Sequence, residues 1–417
     1  MTTHELYALF KASSGVSTDT RTIKKGQIFF ALKGENFDAD AFALQALEKG
    51  ASYAVVSTSC KADDMRLIKV PDTLAELKAL AAFHREQLRI PVIGLTGTNG
   101  KTTTKELIRT ALGAGYRVSA TEGNLNNEIG VPLTVLRIPA RAQIAIVEMG
   151  ASHPDDLVPL LAVAQPNIGL ISNVGKAHLE GFGSFEGVKH AKGLLYDWLK
   201  AHDGVVFANA DDPVLAEMLH DRGLEAIPYS ADGVKISADP FLTLQFEGGK
   251  VLETKLVGAY NAANVLAALK LAWYFDVPED DAMAAISAYT PSNNRSQLLK
   301  TDSNTVIVDA YNANPSSMAV AIANLKGMGG RKVALLGDMR ELGQDAAAEH
   351  LKAVDSLEGL EAFLVGDEFG KAAAGRYPCF GTSDQLAEYL KEHPLEGCTV
   401  LVKGSRGTRM EKVIPSL

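Results

Sequence analysis

The chain has 417 residues, 47% hydrophobic and 22% charged, which at roughly 150 residues per domain predicts two to four folded domains and excludes extensive disorder. Its 41 basic and 50 acidic side chains leave a formal net charge of −9, a poor footprint for non-specific nucleic-acid binding. No stretch approaches the roughly 18 apolar residues of a membrane span, the N-terminus MTTHELYALFKASSG is polar, and Cys60, Cys379 and Cys398 form no CxxC pair. A cytoplasmic protein with reduced thiols and no disulfide framework is expected.

Residues 1–90 read as a small α/β unit. Gln27–Leu32 is a strand-like apolar run, Asp40–Lys49 has helical spacing and stops at Gly50, and Tyr53–Val56 is a second strand. A helix over Thr73–Arg89 leads to Pro91, which biases the preceding residue away from helix. Residues 91–289 form the next unit, with strands at Val92–Leu95, Ile144–Val147, Ile168–Ile171 and Val205–Ala208. Their all-apolar character suits a mostly parallel sheet buried on both faces, with helices as crossovers. After Pro240 the alternating segments LTLQF and VLETKLVG predict an appended β-ribbon, and a helix over Asn261–Tyr274 follows. Residues 290–417 alternate again through VIVD, KVALLG, AFLVG and CTVLVKG, four buried strands that predict a Rossmann-like unit. The fold class is thus α/β in three domains, and a multi-substrate site belongs in the clefts between them.

The strongest motif is GLTGTNGKTT, residues 94–103. A strand running into a glycine-rich turn aims successive backbone N–H groups at one anion, and the following helix adds its positive end. Gly97, Thr98, Asn99, Gly100 and Thr103 would cradle a nucleotide phosphate. Lys101 would supply charge to the β/γ-phosphates and Thr102 a hydroxyl to Mg²⁺. Leu95 occupies the first glycine position of the usual GxxxxGK[ST] spacing, and the glycine pattern does not suit a dinucleotide fingerprint. Glu148 ends the strand IAIVE beside this loop. It is either a Mg²⁺ ligand at the ligand crevice or a surface carboxylate. By residue type alone His178 is a solvated or hydrogen-bonded loop histidine, Lys192 a surface charge and Asn261 a helix N-cap.

The GxTGTNGKT spacing resembles the ATP loop of the Mur ligases, ATP-dependent amide-forming enzymes of peptidoglycan precursor synthesis, and further segments carry the resemblance along the chain. The segment NVGKAHLEGFGS is similar to the family motif whose histidine, here His178, binds a second Mg²⁺. In GVKHAKGLLYDWL, Lys192 rather than Lys189 is similar to the lysine that takes up CO₂ as a carbamate. Asn264 in GAYNAANVLAA matches an adenine contact, Arg295 in SNNRS a γ-phosphate contact, and Asp309 a ribose contact. GNLNNEIGVPL (residues 123–133), DAYNANPSSM (309–318), LGDM (336–339) and KGSRG (403–407) resemble the D-alanyl-D-alanine-adding branch. The N-terminal segment from Ser17 to Asp38 resembles the family's uridine-nucleotide domain, with Asp40 in place of a frequent histidine.

The resemblance implies that UDP-N-acetylmuramoyl-tripeptide and D-alanyl-D-alanine are the partners, with ATP, two Mg²⁺ sites and a carbamate on Lys192 as cofactors. Lys101, Glu148, His178, Lys192 and Arg295 would be catalytic, and Thr102, Glu148, His178 and Lys192 would hold metal. Ser17, Lys33, Asn126, Asn127, Ser152, Asn312, Asn314, Lys403 and Arg406 would face the substrates. A monomer is expected. The alternatives are another Mur-type or folylpolyglutamate-type ligase, a phosphate-loop NTPase switch, and a non-catalytic nucleotide-binding scaffold.

Overall fold

The computed structural model describes residues 1–34, 37–291 and 295–417. Three main sheets follow one another along the chain. The first contains Val16–Ser17, Ile28–Phe30, Tyr53–Ser57 and Leu67–Val70, all parallel. The helix Thr73–Gln87 closes this part. It is started by Asp72, whose carboxylate accepts from the amides of Leu74 and Ala75, and it ends two residues short of the expected Arg89 because Leu88 is already extended ahead of Pro91. The helix expected over Asp40–Lys49 splits into a 3₁₀ turn, Ala39–Phe42, and an α-helix, Ala43–Glu48.

The second sheet has six parallel strands in the spatial order Ile227–Tyr229, Val205–Asn209, Ile168–Ile171, Val92–Thr96, Ile144–Glu148, Val118–Ala120. The chain starts in the middle with Val92–Thr96, builds one side, then crosses to Ile168–Ile171 on the other. That reversal opens a crevice at the carboxyl ends of the strands, where α/β sheets take their ligands. The β-ribbon expected after Pro240 is instead a three-stranded antiparallel sheet, Val234–Ala238, Phe241–Phe246 and Val251–Val257. The additional strand, VKISA, is nowhere fully buried, so it lacks the apolar run by which the others are recognised. The edge strands Val118–Ala120 and Ile227–Tyr229 escape recognition for the same reason, being three residues each and mostly half-buried.

The third sheet runs Gln297–Lys300, Thr305–Asp309, Cys398–Lys403, Arg331–Gly337, Glu361–Val365, Cys379–Phe380. Only Gln297–Lys300 pairs antiparallel. The four expected strands form its centre, and two short edge strands extend it.

The units join in two different ways. Leu6, Phe10 and Leu80 share one apolar core with Val131, Leu160 and Leu195 of the central unit. Buried Arg85 fixes this junction by donating to the carbonyls of Ala164 (3.0 Å) and Gln165 (2.9 Å). The third sheet has cores on both faces, one of which takes in Val257 of the central unit, and otherwise meets that unit through polar contacts. Asn314 bonds Asn99, Ser316 accepts from the Lys176 amide, and Lys176 pairs with Glu349. A polar interface of this kind allows one unit to move on another.

Candidate active site

The phosphate loop is built by two glycines whose conformations no other residue adopts readily. Gly97 has φ +144°, and a Cβ there would lie 2.1 Å from the Ser172 hydroxyl; Gly100 has φ +75° at the start of the helix Lys101–Leu112. The loop after Ile168–Ile171 clamps it. The amide of Thr98 donates to the Asn173 carbonyl (2.9 Å), that of Asn99 to Asn173 Oδ1 (3.0 Å), and Ser172 Oγ donates to the Asn99 carbonyl (2.6 Å). These two loop amides are therefore committed within the protein, and the helix N-terminus from Lys101 onward is what faces a phosphate.

Lys101 Nζ folds back onto the carbonyls of Gly97 (2.7 Å) and Thr98 (3.1 Å). Burial pushes its ammonium down to about 8, against the pull of Glu148 and with the push of Arg295. Such a cation gains when an anionic phosphate replaces the two carbonyls.

Glu148 stands at the end of its strand, 1% exposed, so it is not a surface carboxylate. Its Oε1 accepts from Thr102 Oγ1 (3.2 Å) and Asn126 Nδ2 (2.8 Å), while Oε2 is buried without a hydrogen-bond partner. Leaving a buried carboxylate oxygen unpaired costs about 1–3 kcal/mol or more. An orphaned oxygen beside a threonine hydroxyl at a phosphate loop is the donor set of a Mg²⁺ site, so these residues fit the ion. Lys105 was not singled out by the sequence. It is fully buried, donates to the Thr121 carbonyl (2.6 Å), and lies 3.0 Å from Glu106 and 3.9 Å from Glu148 Oε2. Its signal was its place one helical turn after Lys101, on the inner face of the helix.

Lys101 bears electrostatically on both His178 and Lys192. His178 is half-buried and its Nδ1 pairs with Glu341 of the third unit, a residue the sequence reading passed over. Burial lowers the His178 pKa, against the pull of Glu341 and with a further push from Lys101 and Lys192. Lys192 is 2% exposed, not a surface charge. Its Nζ donates to the Ala151 carbonyl (3.1 Å) and stands 5.2 Å from the Phe182 ring centroid. Burial, with Lys101 adding to it, holds its pKa well below the ordinary value. Phe182 also packs edge-on to His178, with the ring centroids 6.3 Å apart. Lys189, the competitor, pairs with Glu186 and Glu217. Among the described residues no three His, Cys, Asp or Glu side chains converge as a metal cluster.

Asn264 is buried, accepts from Thr104 (2.9 Å) and donates to Asn261 Oδ1 (2.9 Å). Asn261 does not cap its helix with its side chain; it donates to the Val257 carbonyl instead (2.9 Å), because the preceding 3₁₀ turn places it inside the bend. Asp309 meets Lys403 Nζ at 2.5 Å, and the same nitrogen donates to the Asn312 carbonyl (3.2 Å). Arg295 lies flat on Tyr311, its guanidinium carbon 3.6 Å from the ring centroid. Ser292, Asn293 and Asn294 of that motif lie outside the described residues.

One cleft of about 870 Å³ gathers most of these groups. Thr98 to Thr103, Asn126, Asn127, Glu148, Ser152, His178, Asn264, Arg295, Asp309, Asn312, Asn314 and Lys403 all line it. A second cavity of about 360 Å³ shares His178, Tyr311, Asn312 and Asn314 with it and adds Arg340, Glu341 and Arg406. Three predicted residues have evident local duties as well. Asn127 Oδ1 accepts from the amides of Ile129 and Gly130, Ser152 is tied to Asp156, and Asn314 caps the helix Pro315–Gly327. Lys192 stands behind the cleft wall and does not line it. Ser17 and Lys33 line neither cavity. Ser17 closes a turn with Asp19, and Lys33 pairs with Asp38 and Asp40 beside Ser59, next to Glu35 and Asn36, which lie outside the described residues.

The chain is similar to known proteins along its length. The Mur ligase middle domain matches residues 95–272, and the Mur ligase glutamate ligase domain matches residues 294–406. The chain is 34% identical to the UDP-N-acetylmuramoyl-tripeptide–D-alanyl-D-alanine ligase of Bacillus subtilis (strain 168), over 97% of this chain and 93% of that one. It is also 34% identical to the enzyme of the same name from Escherichia coli (strain K12), over 96% and 93%. A crystal structure of MurF from Acinetobacter baumannii superposes with a TM-score of 0.87 at 29% identity, over 98% of this chain and 97% of that one. With relatives matched at this identity over nearly their whole length, and with the phosphate loop, Glu148 and the third-unit residues gathered in one cleft, the chain belongs to the Mur ligase family.

Proposed function

We propose that the chain joins D-alanyl-D-alanine to UDP-N-acetylmuramoyl-tripeptide at the expense of ATP, in peptidoglycan precursor synthesis. The observation that carries the reading is a single cleft in which a phosphate loop, an orphaned Glu148 oxygen and residues of the third unit face one another. The named relatives supply the substrates.

The chemistry follows from the groups present. A carboxylate is a poor electrophile, so an oxygen of the tripeptide carboxylate attacks the γ-phosphorus of ATP and ADP leaves, giving an acyl phosphate. The neutral dipeptide amine attacks the acyl carbon, a tetrahedral intermediate forms, inorganic phosphate departs, and the nitrogen gives one proton to solvent and keeps the other hydrogen as the amide N–H. The protein aligns the reactants and neutralises charge. Lys101 releases the Gly97 and Thr98 carbonyls and takes the β/γ-phosphates, and Arg295 spreads the charge of the transferred phosphoryl group. Thr102 and Glu148 would hold Mg²⁺, which neutralises phosphate charge when bound. His178, which lines the same cleft, would serve a second ion. Asn264 and Asp309, which line the same cleft as the phosphate loop, would take the adenine and the ribose. The second cavity, with Arg340 and Arg406 near Glu341, suits a ligand carrying both a carboxylate and an ammonium group.

The carbamate on Lys192 belongs to this reading as its finer part. What supports it is a buried amine whose pKa burial holds well below the ordinary value, a shift toward the neutral form that reacts with CO₂; no step above passes through it. Intact-mass analysis with ¹³CO₂, and ¹³C spectra of active enzyme, should show the adduct, and an unmodified Lys192 in fully active enzyme removes it. A cytoplasmic monomer is the state this reading takes, since the reaction consumes ATP.

Phosphate release with one substrate omitted at a time tests the proposal. Release should require both the UDP-tripeptide and D-alanyl-D-alanine. Release without the dipeptide, or with a different amine only, would overturn it.

A further inference from the structure

Tyr311 lines both the large cleft and the second cavity. Two guanidinium groups from opposite ends of the third unit meet its ring: Arg295 at 3.6 Å and Arg406 at 5.2 Å from the centroid. Neither guanidinium has a carboxylate partner or a side-chain hydrogen bond among the described residues. The aromatic face is therefore what orients them, since a cation within about 6 Å of a ring centroid is attracted by the ring quadrupole. The two arginines are aimed differently. Arg295 is close enough to Lys101 to lower its pKa and lines the nucleotide cleft, whereas Arg406 lines the second cavity.

Resting on the ligase reading above, we infer that Tyr311 is a positioning residue, the shared aromatic platform that holds Arg295 toward the transferred phosphoryl group and Arg406 toward the carboxylate of the incoming dipeptide. The phenol hydroxyl has no part in this. The ring holds both like-charged groups, and among the described residues neither is locked into an ion pair it would have to break.

The test separates ring electronics from ring shape. Tyr311→Leu should lower kcat and raise KM for D-alanyl-D-alanine, with the combined loss in kcat/KM roughly three- to thirtyfold, the range of one or two cation–π contacts. Tyr311→Phe should restore most of the activity. Mono-, di- and trifluorinated phenylalanine at position 311, which keep the shape and drain the ring face, should lose activity stepwise. A flat fluorination series, or a Phe variant as poor as Leu, overturns the inference. If Tyr311→Leu does not fold, the fluorinated series decides by itself. Arg295→Gln and Arg406→Gln are measured alongside. Wild-type rates in both would sink the underlying site reading, which a flat fluorination series alone would not do.

Discussion

Asn314 Nδ2 donates to Asn99 Oδ1 across 2.8 Å, while the other end of the same side chain caps the helix Pro315–Gly327 by accepting from the Ser317 amide. The tip of the phosphate loop is thus hydrogen-bonded to the residue that starts a helix of the third unit. Nucleotide binding and the placement of that unit are linked through one amide.

Serine at position 314 would keep the cap but is too short to reach Asn99. Asn314→Ser should hold stability within about 0.5 kcal/mol, since serine ranks with asparagine as a cap, while KM for ATP rises. Asn314→Ala should lose the cap as well, about 1 kcal/mol by denaturant unfolding. Equal KM values in wild type and Asn314→Ser would show that the Asn99 contact does not bear on nucleotide binding.

Lys101 weakens the fold that it serves. Its folded-state pKa of about 8 lies below the ordinary 10.5. Between those values the unfolded chain binds the proton that the folded chain has given up, so stability rises with pH across that window. Below about 8 both states carry the charge and the full burial penalty is present. Lys101→Met should therefore abolish ligation yet melt higher than wild type at neutral pH without nucleotide, and the alkaline rise in stability should disappear. A lower melting temperature in this variant would contradict the account.

Glu148→Gln preserves shape and replaces the orphaned oxygen with an amide. Activity should fall by at least about a hundredfold, with the Mg²⁺ dependence shifted to higher concentration. The fold should tolerate the change, because a neutral amide costs less to bury than an unpaired carboxylate. Titrating Mg²⁺ against rate and recording the melting temperature checks both halves.

Lys403 is 1% exposed and pairs with Asp309, whose side chain is 20% exposed. Lys403→Ala strands that carboxylate and removes the bond to the Asn312 carbonyl. A loss of about 2–3 kcal/mol is expected, together with weaker ATP binding if Asp309 receives the ribose. Urea unfolding and nucleotide titration of the variant measure each effect.

The sequence by itself determined the long buried strands, the helix after the phosphate loop and the chemistry of that loop. Each is a local matter: an apolar run of four or five residues, a glycine where φ is positive, a lysine one residue after it. The segments it did not reveal are short, half-buried edge strands such as Val118–Ala120 and Val234–Ala238, whose pairing comes from neighbours distant in the chain. Residue type also says nothing of depth. Lys192 reads by residue type as a surface charge, Lys105 carries no motif and Lys403 is expected to face a substrate, yet all three are buried, because only packing decides whether a long side chain reaches water or is enclosed. The tertiary structure alone brought Arg295 and Arg406 onto Tyr311, Glu341 onto His178 and Asn314 onto Asn99. The arginines reach Tyr311 when the third unit folds, whereas the other two pairs, up to 215 positions apart, exist only once that unit has docked on the second.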